Sequence, residues 1–195
     1  MIKSIKFRYD GLSQIIQNNP QTVDPLNYYT KELSKINKKR NKTEEDHHNR
    51  YDLEVAAKIY WQDGIVVPTS WVTASLCKSS FKVCKISKND IRSAFFPVSE
   101  WAALKYSGYE KIKDKKDIIL NQEYRWLFPT KQGQVKVMKA FPMFDNWSFD
   151  VEAEYDDSIL PTEELKRILE YAAKYNGFGD FRPTFGRAVF SVLGD

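Results

Sequence analysis

The chain has 195 residues, 42% hydrophobic and 14% aromatic, with 30 basic and 26 acidic residues and a formal net charge of +4. That composition lies above the hydrophobicity of a disordered polypeptide and suffices for one core, so a single domain over 1–195 with an elaboration is expected. No apolar run approaches the roughly 20 residues that cross a bilayer, and Met1 to Tyr9 alternates charge with hydrophobe, unlike a signal peptide; a cytoplasmic protein without a membrane partner follows as the expectation.

Ile2, Ile5 and Phe7 set among Lys3, Ser4, Lys6 and Arg8 predict a first strand at 2–9 with one buried face. Asp24-Pro25 offers a cap and a first-turn proline for a helix over 25–38. A second helix starts at Thr43 with acids in its first turn and runs to about Gln62 on Tyr51, Val55 and Ile59. A short strand at 65–68 and a third helix capped by Thr69 or Ser70 come next. Cys77 and Cys84 fall on that helix about 10 Å apart, too far for a disulfide.

Asp90 to Val98 reads as extended, and strands are expected at 118–120, 123–128 and 135–141, the last two joined by a turn at Lys131 to Gln134. Trp147 to Tyr155 alternates most cleanly, with Trp147, Phe149, Val151 and Ala153 on one face and Ser148, Asp150, Glu152 and Glu154 on the other. Pro161 opens a helix whose apolar stripe ends at Asn176-Gly177, and a last strand spans 187–193. This order fits an α+β, ferredoxin-like antiparallel sheet with helices on one face and a basic helical insertion at about 22–64.

The densest stretch is Gly177-Phe178-Gly179-Asp180-Phe181-Arg182-Pro183-Thr184-Phe185-Gly186-Arg187. Glycines let the backbone approach a phosphate, arginines supply charge and phenylalanines supply stacking surface. The same residues also fit an ordinary helix cap at Gly177, a bulge at Gly186 and core phenylalanines. The loop lacks the lysine and hydroxyl of a triphosphate-binding loop and ends rather than opens a helix, so no nucleotide cofactor is expected.

This loop resembles the C-terminal glycine-rich loop of the RAMP superfamily, ferredoxin-like RNA-binding proteins of CRISPR systems. More of the chain, including Asp24 to Lys31, Lys39 to Asp46, Pro142 to Trp147 and the terminal loop, resembles an uncharacterised bacteriophage protein family. The RAMP resemblance implies binding of single-stranded RNA or DNA along the sheet and loop, with self-association of protomers along the strand. It carries Gly177, Gly179, Arg182, Gly186 and Arg187 over as phosphate-contacting candidates. The phage resemblance implies the host cytoplasm.

Charge alone adds Lys38, Lys39, Arg40 and Lys42 to the nucleic-acid candidates, because Lys31 to Lys42 holds six basic residues against Glu32. Proximity to basic residues adds Tyr28, Tyr29, Tyr124 and Trp126 as stacking candidates, whereas Trp147 shares its face with Phe149 and belongs in the core. His47 and His48 are the weak catalytic candidates, for a metal-independent ribonuclease, but their setting beside Glu45 and Asp46 on a polar helix reads as solvated. No ligand set for a metal is present at useful spacing, and Asp145, Asp150, Glu152, Asp156 and Asp157 read as surface acids. The expectation is a non-enzymatic nucleic-acid-binding protein without a cofactor. The alternatives are a protein-interaction module that inhibits a host defence factor, and the histidine-dependent ribonuclease.

Overall fold

The computed structural model describes residues 1–194. Along the chain run strands β1 (Ile2–Gly11) and β2 (Ile15–Ile16), helices α1 (Tyr28–Lys38) and α2 (Glu44–Lys58), strand β3 (Val66–Pro68), then helices α3 (Ser70–Cys84) and α4 (Lys88–Ala94). Strands β4 (Phe95–Pro97) and β5 (Trp101–Ala103), helix α5 (Lys115–Leu120) and strands β6 (Arg125–Gln132), β7 (Val135–Phe144) and β8 (Ser148–Asp156) follow. Helix α6 (Thr162–Tyr171), a π-helical turn (Ala172–Asn176) and β9 (Ala188–Val192) close the chain.

Two compact units emerge, one from Met1–Ile15, Ile65–Ser107 and Phe144–Asp195, the other from Ile16–Gly64 and Gly108–Met143. The first holds a four-stranded antiparallel sheet ordered β4-β8-β1-β9, with α3 and α6 packed on each other. Taking β1, α3, β4, β8, α6 and β9 as the six elements, this is the split βαβ order of the ferredoxin-like sandwich. The expected α+β class is therefore observed. The insertion expected at 22–64 shares its unit with a second excursion, 108–143, so two separate departures from the sheet build one body.

Period-two alternation decides which face of the sheet is buried. Phe7 and Tyr9 of β1 lie opposite Val151 and Phe149 of β8, all buried, and Phe178 joins them with its ring 4.5 Å from that of Tyr9. The intervening residues form the open face, where Arg8 grips Asp150 through two hydrogen bonds of 2.7 and 2.9 Å and Lys6 meets Glu152 at 3.1 Å.

The Arg8 guanidinium holds the Asp150 carboxyl below its usual range, and Lys3 does the same for Asp157. A carboxyl depressed on folding stabilises the native state above its unfolded value of about 3.9, and that stabilisation is lost as pH falls through the lower folded value. Asp150→Asn should therefore lower stability at pH 7 and flatten the acid limb below about pH 4 in a denaturation series. A variant profile parallel to the parent's would exclude a role for this pair.

Local capping explains two departures from the sequence reading. Residues 90–98 do not run extended throughout: Ser87 and Asp90 form a reciprocal capping box that starts α4, and only Phe95–Pro97 is strand. Likewise Asp114 and Asp117 box the start of α5, so 118–120 is helical rather than a strand. The first helix begins at Tyr28 on an Asn27 cap, not at Pro25, because the Asn27 side chain accepts from the Tyr29 amide. At α2 the expected Thr43 cap is present, reciprocated by Asp46.

In the second unit the sheet is ordered β2-β7-β6. Helix α2 presents charged rather than apolar groups to β7: Arg50 Nη2 donates to Met138 O at 2.7 Å, Lys58 Nζ donates to Ala140 O at 2.5 Å, and Glu54 Oε2 accepts from Ala140 N at 2.6 Å. Side chains thus occupy strand-edge groups that would otherwise lack partners. Among the described residues no helix is long and apolar enough to cross a membrane.

Candidate nucleic-acid interface

The glycine-rich loop starts where α6 widens into its π-helical turn. Small residues on α3 let this turn come close: Ser75 Oγ donates to Gly177 O at 3.3 Å, and Asn176 Nδ2 donates to Ser79 Oγ at 2.6 Å. Gly177, Gly179 and Gly186 all have φ between +69° and +77°, where a side chain is strained. The Gly177 amide returns to Ala172 O, the Phe178 amide bonds Gly186 O at 2.8 Å, and the Gly186 amide bonds Gln14 O at 2.7 Å. The Arg187 amide donates to Ser13 Oγ at 3.1 Å.

Those donors are spent inside the fold, which corrects the expectation that Gly177 and Gly186 turn their amides to a phosphate. All three glycines are buried, and Gly177 and Gly186 serve close backbone packing. Phe178 is core, while Phe181 and Phe185 are half-buried. The loop offers solvent Pro183, Thr184 and two cations, Arg182 and Arg187, both exposed and without an ion pair among the described residues. The open face of the neighbouring sheet does not extend this charge, for Lys6 and Arg8 are outnumbered there by Asp10, Asp150, Glu152 and Glu154. Its acidity opposes binding of a polyanion along the sheet, the second correction to the resemblance.

Charge is divided sharply between the units. The sheet unit carries fourteen basic and fourteen acidic residues, whereas the other carries sixteen and twelve, so the whole net charge of +4 belongs to the latter. Within it, 16–64 is balanced at eight of each, and the excess lies in 108–143 with eight basic residues against four acids. From Arg125 to Phe144 there is no acid at all.

That acid-free stretch is the β6-β7 hairpin, turned by Gly133 at φ +63° and Gln134. Lys131 and Lys136 face each other across the strands and are exposed, and Lys139 pairs with Phe128. None of the three lysines has an ion pair among the described residues. Sequence reasoning passed over them because they are spread thinly, although the missing acids were a readable signal.

Helix α1 supplies the other basic surface. Tyr28, Lys31, Lys35 and Lys38 recur at helical spacing and line a shallow cleft of about 490 Å³. Tyr28 is 65% exposed. Of the remaining charge candidates, Lys39 is engaged by Asp46 at 2.5 Å and Lys42 Nζ donates to Lys39 O at 2.9 Å, while Lys38 and Arg40 are exposed without an ion pair among the described residues. The Lys39 ammonium pulls the Asp46 carboxyl below its ordinary range.

The aromatic candidates separate by environment. Tyr29 is held by Lys115, whose Nζ is 3.3 Å from its hydroxyl. Trp126 is half-buried and stacks on Phe128 at 4.6 Å. Tyr124, only 8% exposed, belongs to the interior and not to a stacking surface. His47 and His48 are exposed on the first turns of α2, His48 Nε2 lying 3.7 Å from Glu44 Oε1. No cluster able to hold a metal ion occurs among the described residues.

The fold and its basic unit define an α+β protein of split βαβ order with a paired insertion. No family model and no curated protein matches the chain. Among solved structures it is similar to Cmr6 from Pyrococcus furiosus, at 11% identity and a TM-score of 0.37, over 97% of this chain and 98% of that one.

Proposed function

We propose that this protein is a non-catalytic nucleic-acid-binding protein that holds single-stranded RNA or DNA on the basic unit, with the β6-β7 hairpin and the α1 stripe as its contact elements. One observation carries the reading: twenty consecutive residues without an acid, folded so that Lys131 lies directly opposite Lys136. Like charges across a strand pair cost roughly 0.2–1 kcal/mol, and a bound polyanion reverses the sign of that term. Tyr28 gives α1 an aromatic face for a base, and Lys31, Lys38 and Arg40 extend the charge, whereas Lys35 is paired with Glu32 at 2.6 Å. Arg182 and Arg187 are exposed cations of the sheet unit. The phage-like motifs would place the protein in the cytoplasm of an infected cell.

Replacing both hairpin lysines, Lys131→Glu with Lys136→Glu, should weaken binding to a labelled single strand of about 20 nucleotides by at least about tenfold at 0.1 M salt, with the thermal midpoint preserved. Unchanged affinity in a folded variant removes the hairpin from the interface. Leu127, Val135 and Met138, exposed by 42, 65 and 39% on the same hairpin, favour a second reading, docking of a host protein. A lysate partner retained after nuclease treatment, together with no affinity for the oligonucleotide, would select it.

A further inference from the structure

The C-terminal end of α3 and the outer face of α6 enclose a small groove that the hairpin interface does not use. Val83, Arg167, Glu170, Tyr171, Lys174 and Tyr175 line it, and its volume is about 280 Å³. That lies at the small end for ligand pockets and suits one planar ring better than a run of chain. All six residues belong to the sheet unit.

A π-helical turn builds one wall. The Gly177 amide reaches back to Ala172 O at 2.9 Å, five positions earlier, so the turn over Ala172–Asn176 takes more than four residues. Tyr175 therefore returns almost directly above Tyr171, with ring centroids 4.6 Å apart. Tyr175 is still 54% exposed, an aromatic surface that a further ring can cover. Single π turns inside α-helices are rare and concentrate at functional sites.

Charge decides what kind of ligand suits the groove. Arg167 Nη1 lies 3.2 Å from both carboxylate oxygens of Glu164, while Glu170 and Lys174 are exposed and without an ion pair among the described residues. These four side chains sum to zero, so the groove has no net pull on a phosphate chain and hydrogen bonding has to supply the recognition. Glu170, three positions from Arg167, sets a two-oxygen acceptor beside a guanidinium whose Nε and Nη2 are uncommitted among the described residues. Guanine alone among the bases offers two adjacent N–H donors, at N1 and N2, with the O6 acceptor next to them.

We propose that this groove binds a guanine base, its ring on Tyr175, its N1 and N2 hydrogens on the Glu170 carboxylate, and its O6 or N7 on Arg167. Lys174 lines the same groove and is left for the attached phosphate. The base can belong to a free nucleotide or to a guanosine within a strand.

Equilibrium dialysis of the full chain, freed of nucleic acid by nuclease and high salt, against guanosine monophosphate tests this. One nucleotide should bind per chain with a Kd between about 10 µM and about 1 mM. Inosine monophosphate, which lacks only the N2 amine, and adenosine monophosphate should each bind at least about fivefold more weakly. Tyr175→Ala should cost about tenfold for the guanosine and adenosine forms alike. Glu170→Gln, which accepts through one oxygen only, should remove the preference for guanosine over inosine. Both residues are exposed, and an unchanged thermal midpoint shows that the fold is kept. If a variant fails to fold, the three nucleotides compared on the parent chain still decide. Lys131→Glu with Lys136→Glu should bind guanosine monophosphate as the parent does, so failure of the hairpin reading would leave this result standing. No saturable binding by about 1 mM, equal affinity for the three nucleotides, or a preference that survives Glu170→Gln overturns the proposal. A strand of uridines that gains affinity on receiving one guanosine, and loses that gain in Glu170→Gln, assigns the base to a strand. Binding of the free nucleotide without that gain assigns it to the nucleotide.

Discussion

Gly186→Ala should lower the thermal midpoint by about 10 °C, corresponding to roughly 4 kcal/mol in a chain of this size. A Cβ placed at Gly186 would lie 1.8 Å from Phe178 O and 2.9 Å from Phe178 N, both main-chain atoms that cannot rotate aside. Relief requires the strands of the loop to separate, which breaks the Phe178 to Gly186 and Gly186 to Gln14 hydrogen bonds and draws Phe178 out of its contact with Tyr9. Positive φ adds about 1–2 kcal/mol of its own. Gly133→Ala is the control, because Gly133 has φ +63° but nothing within 4 Å of the new atom, so it should carry the conformational term alone. Equal losses for the two variants would show that the loop is not packed as described.

Glu54→Ala is the second large effect, expected to cost about 3–5 kcal/mol. Glu54 is 6% exposed, and its carboxylate is the acceptor for the Ala140 amide while standing 3.9 Å from both Arg50 Nε and Lys58 Nζ. Truncation leaves a buried amide without its acceptor and removes the carboxylate that stands beside Arg50 and Lys58. Lys58 retains Ala140 O and the Phe141 ring, 3.7 Å from its ammonium, so the helix is not released at every point. Glu54→Gln keeps an oxygen for Ala140 and should lose less, a distinction read by urea denaturation of the two variants side by side. If alanine and glutamine cost the same, the amide bond to Ala140 carries none of the stability.

These two sites also show what was legible in the sequence. The alternation of β1 and β8, with Trp147 inward, was visible because one face of an antiparallel sheet is dry and the other wet. The C-terminal loop is visible as a feature, but Gly177 and Gly186, expected to face a phosphate, pack inward, since positive φ serves close packing as readily as ligand approach. Residues 114–120 carry too few apolar positions for periodicity to separate a two-turn helix from a strand, and a reciprocal cap of Asp114 with Asp117 settled it locally. Helix α2 hid its inner face, because Arg50, Glu54 and Lys58 at four-residue spacing look solvated until a strand is placed beside them.

The basic interface was half legible. Lys38 to Lys42 drew attention as a run, yet Asp46 engages Lys39 and the surrounding excursion is electrically balanced. The stronger asymmetry lay in what 125–144 lacks, and a two-residue turn was needed to bring Lys131 and Lys136 face to face.

The most direct measurement is the affinity of the full chain for a labelled single strand as a function of salt. Log affinity should fall linearly with log salt, at about 0.7 per phosphate neutralised, and Lys131→Glu with Lys136→Glu should reduce that slope by about 1.4. Binding that ignores salt, or a slope the double variant leaves untouched, would contradict a strand held by the hairpin.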